Sequence, residues 1–110
     1  MSKKNFLKDI QDTLENQTVE AVQFLTLLDD RCWFKNPKPE PRNKGIILGK
    51  LYAWEEAKPL LDYEYDAGYG GMDCHGIYIW TPQSILIIHE YDGSTWPELI
   101  PRHPVPNNIT

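Results

Sequence analysis

Phe6, Leu7, Ile10 and Leu14 recur at helical spacing, and Asn5 stands where a helix N-cap belongs, so residues 5–15 are expected to form an amphipathic helix. Ala21, Val22, Leu25 and Leu28 fall near one face of a second helix, capped by Thr18 and ended by Asp29 and Asp30, with Phe24 and Leu27 widening its apolar arc. Ile46, Ile47 and Leu48 suggest a short strand stopped by Gly49, and Tyr52–Leu61 a short helix with Pro59 near its end. From Asp62 onward the period changes to two. Tyr63 and Tyr65 alternate with Glu64 and Asp66, and Ile77 and Ile79 with Tyr78 and Trp80; Ile85–Ile88 reads as a fully buried run, and Trp96–Ile100 closes the series. Turns are expected at Ala67–Gly71, at Thr81-Pro82-Gln83 and at Asp92-Gly93-Ser94, which makes a meander of about four antiparallel strands. Pro97 marks the last strand as an edge.

The pattern predicts a single α+β domain with N-terminal helices packed on an antiparallel sheet. Its parts are a helical segment over 1–34, a proline-rich connector over 35–45, a β-rich segment over 46–104 and a flexible tail over 105–110. A chain of 110 residues that is 41% apolar can bury a modest core, so disorder of the whole is excluded. The longest unbroken apolar run is Ile85–Ile88, and the first dozen residues lack a signal-peptide pattern, so a cytoplasmic protein with no membrane contact is expected. Cys32 and Cys74 form no CxxC and are read as free thiols.

Charge divides the chain more sharply than its net of −5 suggests. Residues 1–50 carry nine Lys/Arg against seven Asp/Glu, whereas residues 51–110 carry only Lys58 and Arg102 against nine acids. An acidic half repels phosphate backbones and attracts basic partners, which argues against direct nucleic-acid binding through it.

Three histidines, His75, His89 and His103, stand fourteen residues apart, with Cys74 beside the first. A hairpin folded at Pro82 would set His75 opposite His89, where two imidazoles and the Cys74 thiolate could approach one metal, or Cys74 and His89 could act as nucleophile and base. Neighbouring strand residues point to opposite faces, so Cys74 and His75 cannot serve one another. Short-range ligand pairs are absent, Asp66, Asp73, Glu90 and Asp92 lack calcium-loop spacing, and GYGG lacks the phosphate-loop lysine and following helix. No catalytic set, metal or cofactor is therefore assigned.

What remains is a dense group of aromatics among acids. Tyr63, Tyr65, Tyr69, Tyr78, Trp80, Tyr91 and Trp96 fall within thirty-four residues, more than one small sheet can easily bury. The candidate partner-binding residues are Tyr63, Glu64, Tyr65, Asp66, Tyr69, Glu90, Tyr91, Asp92 and Trp96, aromatics serving as anchors and carboxylates steering toward a partner with a basic surface. An alternative is a nucleotide or small ligand held between tyrosines, with Arg102 and His103 as polar anchors. A third is a metal- or cysteine-dependent hydrolase around Cys74, His75 and His89. The edge strand and spare aromatics also allow a homodimer, although Pro97 argues against simple edge-to-edge pairing.

The stretch LLDYEYDAGYGGMDCHGIYIWT, followed by HEYDGSTW and PRHP, resembles small bacteriophage and prophage proteins of the kind among which inhibitors of bacterial defence systems are found. The resemblance covers residues 46–104. It implies a small non-enzymatic antagonist that binds a CRISPR effector or another defence protein, or sequesters a signalling nucleotide; the acidic half favours the protein target.

Overall fold

The computed structural model describes residues 3–28, 40–67, 73–91 and 94–102. Among these the chain is α+β, with two helices, a five-stranded antiparallel sheet and a separate two-stranded sheet. Helix α1 (Phe6–Leu14) follows its sequence pattern. Asn5 caps it by accepting from the Lys8 N–H at 2.9 Å; Phe6, Ile10 and Leu14 are buried; and left-handed backbone at Glu15 and Asn16 ends it.

Strand β1 (Lys3–Asn5) precedes α1 and pairs with β4 (Glu64–Asp66), setting Lys3 opposite Asp66 and Lys4 opposite Tyr65. The first Glu-Tyr-Asp thus leaves the expected meander and forms a small sheet of its own. Its alternation holds: Tyr65 turns inward beneath α1, where its hydroxyl donates to Asp9 Oδ2 at 2.7 Å and its ring meets Phe6 edge-on, while Glu64 faces solvent.

The expected second helix is replaced by strand β2 (Ala21–Phe24). Val22 and Phe24 are fully buried while Ala21 and Gln23 face the other way, a period of two that the leucines at helical spacing concealed. Leu25 and Leu27, expected in the helix core, are exposed. Tertiary pairing decides the matter: β2 sits between β3 (Leu51–Tyr52) and β5 (Ile77–Trp80), with its ladder bonds satisfied on both sides.

The expected strand at 46–48 is absent as well. Glycines at 45 and 49, with φ of +83° and +81°, bracket a loop that wraps the Tyr52 hydroxyl, which accepts from Ile47 N–H at 2.9 Å and donates to Gly45 O at 3.2 Å. Helix α2 (Trp54–Leu61) follows, two residues shorter than expected. Glu56 caps the Ala53 N–H, and Pro59 lies inside the helix.

Strands β5, β6 (Ser84–Tyr91) and β7 (Ser94–Pro101) form the expected meander, and the full order is β3-β2-β5-β6-β7. The Thr81–Gln83 turn is held by Thr81 N–H to Ser84 O at 2.9 Å and by Ser84 N–H to the Thr81 hydroxyl at 2.9 Å. Asp92 and Gly93, expected to make the next turn, lie outside the described residues, as do Gly68–Gly71 and the connector over 35–39. β7 is an edge, as Pro97 suggested. Its outward-directed backbone positions are 95, 97, 99 and 101. Thr95 N–H donates to Ala67 O at 2.8 Å and the prolines at 97 and 101 have no N–H, which leaves Leu99 as the remaining outward donor. The edge is blunted against pairing with another strand.

One core serves the whole. Phe6, Ile10 and Leu14 of α1, Ala57 and Leu61 of α2, Tyr65, and the inward row Val22, Phe24, Ile77, Ile79 and Leu86 of the large sheet form one buried cluster. Both helices therefore cover the same face of that sheet. No helix among the described residues is long and apolar enough to cross a membrane.

Candidate functional site: the outer face of the sheet

Register assigns the other face. Trp80 pairs with Ala21 and with Ile85, Ile85 with Ile100, Ile87 with Glu98, His89 with Trp96 and Tyr91 with Ser94; Tyr78 pairs with Gln23 and Gln23 with Leu51. All of these side chains point away from the helices. Leu51, Tyr78, Tyr91, Trp96 and Ile100 are exposed there, Tyr91 to 71%, and Trp80, Ile85 and Ile87 are half-buried among them.

The rings on this face are organised. Trp96 lies 4.7 Å from the His89 ring across the β6–β7 ladder, and Tyr78 meets Trp80 edge-on at 5.6 Å along β5. Formal charge is sparse: Glu98 is the one carboxylate in the paired positions, and its Oε2 lies 3.5 Å from His89 Nδ1. At the sheet's end Arg102 donates to Glu20 and to Thr81 O, so that cation is already engaged.

Along β5 the aromatics lie outside and the aliphatics inside. The stretch Ile77-Tyr78-Ile79-Trp80 shows the inversion directly, with both isoleucines buried and Tyr78 exposed. The run Ile85–Ile88, expected to be fully buried, has only Leu86 fully so. An apolar run in an antiparallel strand means two apolar faces. Among the described residues helices cover only one of them, and the run itself was the signal available in the sequence.

The proposed partner-binding residues separate accordingly. Tyr91 and Trp96 stand on the outer face, whereas Glu90, also exposed, alternates to the opposite side with Leu86 and Ile88. Glu64 is exposed on the small sheet, away from these aromatics. Tyr65 is 1% exposed and cannot anchor a partner, because its ring completes the core under α1. Tyr63 is half-buried and committed to His75. The two Glu-Tyr-Asp copies are thus opposite in use, tyrosine inward in the first and outward in the second. Tyr69, Asp92 and His103 lie outside the described residues.

His75 and His89 are not brought together. The ladder runs Ile79 to Leu86 and Trp80 to Ile85, one residue from the register expected, so His75 keeps the inward side with Ile77 and Ile79 while His89 points outward. Among the described residues no three or more of His, Cys, Asp and Glu gather as a metal would need.

His75 instead ends a buried polar network. Tyr63 accepts from the His75 backbone N–H at 3.0 Å and lies 2.7 Å from Nδ1, while Nε2 lies 2.9 Å from Asn43 Oδ1. Asn43 in turn accepts from Leu28 N–H at 2.8 Å and donates through Nδ2 to Leu28 O at 2.6 Å. That orientation makes Oδ1 an acceptor only, so Nε2 carries the imidazole proton and Nδ1 receives the Tyr63 hydroxyl. Burial, with the nearby Arg42 charge adding to it, lowers the His75 pKa to about 4, and burial raises that of the Tyr63 hydroxyl.

Arg42, following the 3₁₀ turn's first residue Pro41, ties this network to the loop before β5. It forks onto Glu40 at 2.8 and 3.1 Å and donates to Asp73 Oδ1 at 3.1 Å and Asp73 O at 3.0 Å, with Tyr63 beneath the guanidinium at 5.4 Å. Asp73 Oδ2 accepts the Asp66 N–H at 3.0 Å, which connects the cluster to β4. Both ring nitrogens and the backbone N–H of His75 are engaged with structural partners.

Cys74 is a free thiol, buried, with its pKa pushed up to about 12 by that burial and then by the Asp73 charge. Such a thiol is a packing residue, not a nucleophile. In the folded chain Cys74 is expected to stay unlabelled by iodoacetamide at pH 8 and to label fully in urea, read by peptide mass mapping. Rapid native labelling would show the burial to be wrong.

No family model, curated protein or solved structure matches the chain. The outer face must speak for itself.

Proposed function

We propose that the protein acts without catalysis, by docking another protein on the outer face of its large sheet, in the manner of a phage-type antagonist of a host defence protein such as a CRISPR effector. The observation that carries this reading is the exposed row of Tyr78, Tyr91, Trp96 and Ile100 on a face against which, among the described residues, no helix packs. An aromatic centre of this kind supplies anchors at low conformational cost. The acidic second half of the chain, with nine acids against Lys58 and Arg102, supplies a long-range field that draws basic surfaces toward it. A nucleotide-holding role draws less support, because Arg102 is already paired with Glu20.

The test is a phage-plating assay in bacteria carrying a defence system. Expression of the chain is expected to restore plating, and the folded Tyr91→Glu/Trp96→Glu double variant to lose at least tenfold of that effect. Full activity of a folded double variant would move the contact off this face.

A further inference from the structure

We infer that the outer sheet face also binds a second copy of the chain, the two sheets stacking face to face as a weak homodimer. This rests on the reading of that face as a docking surface and names its occupant when no other partner is present.

Charge is the first argument. Each chain carries a net −5, so two copies repel over most of their surfaces. A symmetric self-contact, which sets each patch against its own copy, is favoured where little like charge is confronted. The outer face offers that place, since Glu98 is the one carboxylate in its paired positions and stands beside His89. A partner with a basic contact patch would find few carboxylates there, whereas a second copy presents the same uncharged apolar surface by construction, as a two-fold interface requires.

Geometry is the second. Edge pairing through β7 is blocked by Pro97, Pro101 and the Thr95–Ala67 bond, so an additional strand cannot extend this side of the sheet. Stacking remains, as in two-layer β-structures. From strand lengths of eight, eight, four, four and two residues, with spacing and rise typical of sheets, the face projects about 400 Å² per copy. A pair buries about 800 Å² in total, below the ~1,000 Å² of a stable interface, so the dimer is transient and is expected to dissociate at micromolar concentrations. A weak self-contact keeps the aromatics from solvent yet yields to a tighter partner.

Sedimentation equilibrium of the full chain tests this. The apparent mass is expected to rise from the 12.8 kDa monomer toward twice that value with concentration between about 10 and 500 μM. Tyr91→Glu, at a position exposed enough to leave folding intact, should weaken the dimer at least tenfold. Glu98→Gln should tighten it severalfold, and so should added salt, because both reduce repulsion between like-charged copies. A basic partner on this face would respond to Glu98→Gln and to salt in the opposite sense. A wild-type chain that stays monomeric at 500 μM overturns the dimer, leaving the docking reading to the plating assay. A dimer indifferent to Tyr91→Glu and Glu98→Gln overturns it equally, by placing the contact elsewhere.

Discussion

Replacing Arg42 with methionine is expected to cost the fold about 2–3 kcal/mol, seen as a lower urea midpoint with an unchanged slope. The guanidinium holds Glu40 and Asp73 together, and burial is substantial on all three: side-chain exposures are 23% for Arg42, 17% for Glu40 and 25% for Asp73. Removing the cation leaves two half-desolvated carboxylates facing each other, a situation far costlier than losing an exposed ion pair. The same contact holds the Glu40 carboxyl below its ordinary value, through the hydrogen bonds from Arg42, and raises the Arg42 pKa chiefly through Glu40. Methionine keeps most of the length and packing, so the loss reports charge and hydrogen bonding. Adding Glu40→Gln and Asp73→Asn to Arg42→Met should recover at least half of it. A single variant as stable as the parent would show that the network contributes nothing.

Arg42 also marks where the sequence was opaque. The proline-charge alternation of PKPEPRNK suggested only a spacer, yet Arg42 and Asn43 reach thirty residues along the chain to fix Asp73 and His75. Local composition contains no trace of such long-range polar contacts. The helix at residues 18–28 failed for a related reason. Leucines at 25 and 28 completed a helical face in one dimension, but the ladder from Val22 to Ile79 and Tyr52 required a strand, and partners of that kind lie outside any local window. Where the deciding interaction was local, the reading held, as with the Asn5 cap of α1, the Thr81–Gln83 turn and the proline-marked edge. The candidate surface was half legible. Aromatic excess announced that some rings must lie outside, but only register could separate Tyr91 and Trp96 from Tyr65. It also showed that one Glu-Tyr-Asp copy buries its tyrosine while the other exposes it.

Acidification is expected to weaken the fold through His75 by about 3 kcal/mol between pH 7 and pH 4. His75 has an ordinary value of 6.5 and a folded value of about 4, lowered first by burial and then by the Arg42 charge. The unfolded chain therefore takes up a proton as the pH falls through 6.5, while the folded chain does so only near 4. Stability conferred by a neutral buried histidine is full above 6.5, declines through the interval and levels off once both states are protonated. Since the residue is 0% exposed, solvent screening does not reduce the effect. Nδ1 is where the added proton would go, and there it meets the Tyr63 hydroxyl in place of the lone pair that hydroxyl now uses. Glu40, whose pKa is lowered from 4.5, contributes in a different window, its stabilisation being lost as the pH falls below that value, so the two effects separate along the axis. Urea unfolding at half-unit steps from pH 7.5 to 4 reads the slope. His75→Phe, less stable at neutral pH because Asn43 and Tyr63 lose their partner, should show a nearly flat profile between 6.5 and 4.5. Long-range proton–nitrogen correlation on the parent chain should report the Nε2–H tautomer throughout that range. A parent chain whose stability does not change from pH 6.5 to 4.5 would mean that the imidazole is protonated in the fold, and the network around Asn43 would then have to be reassigned.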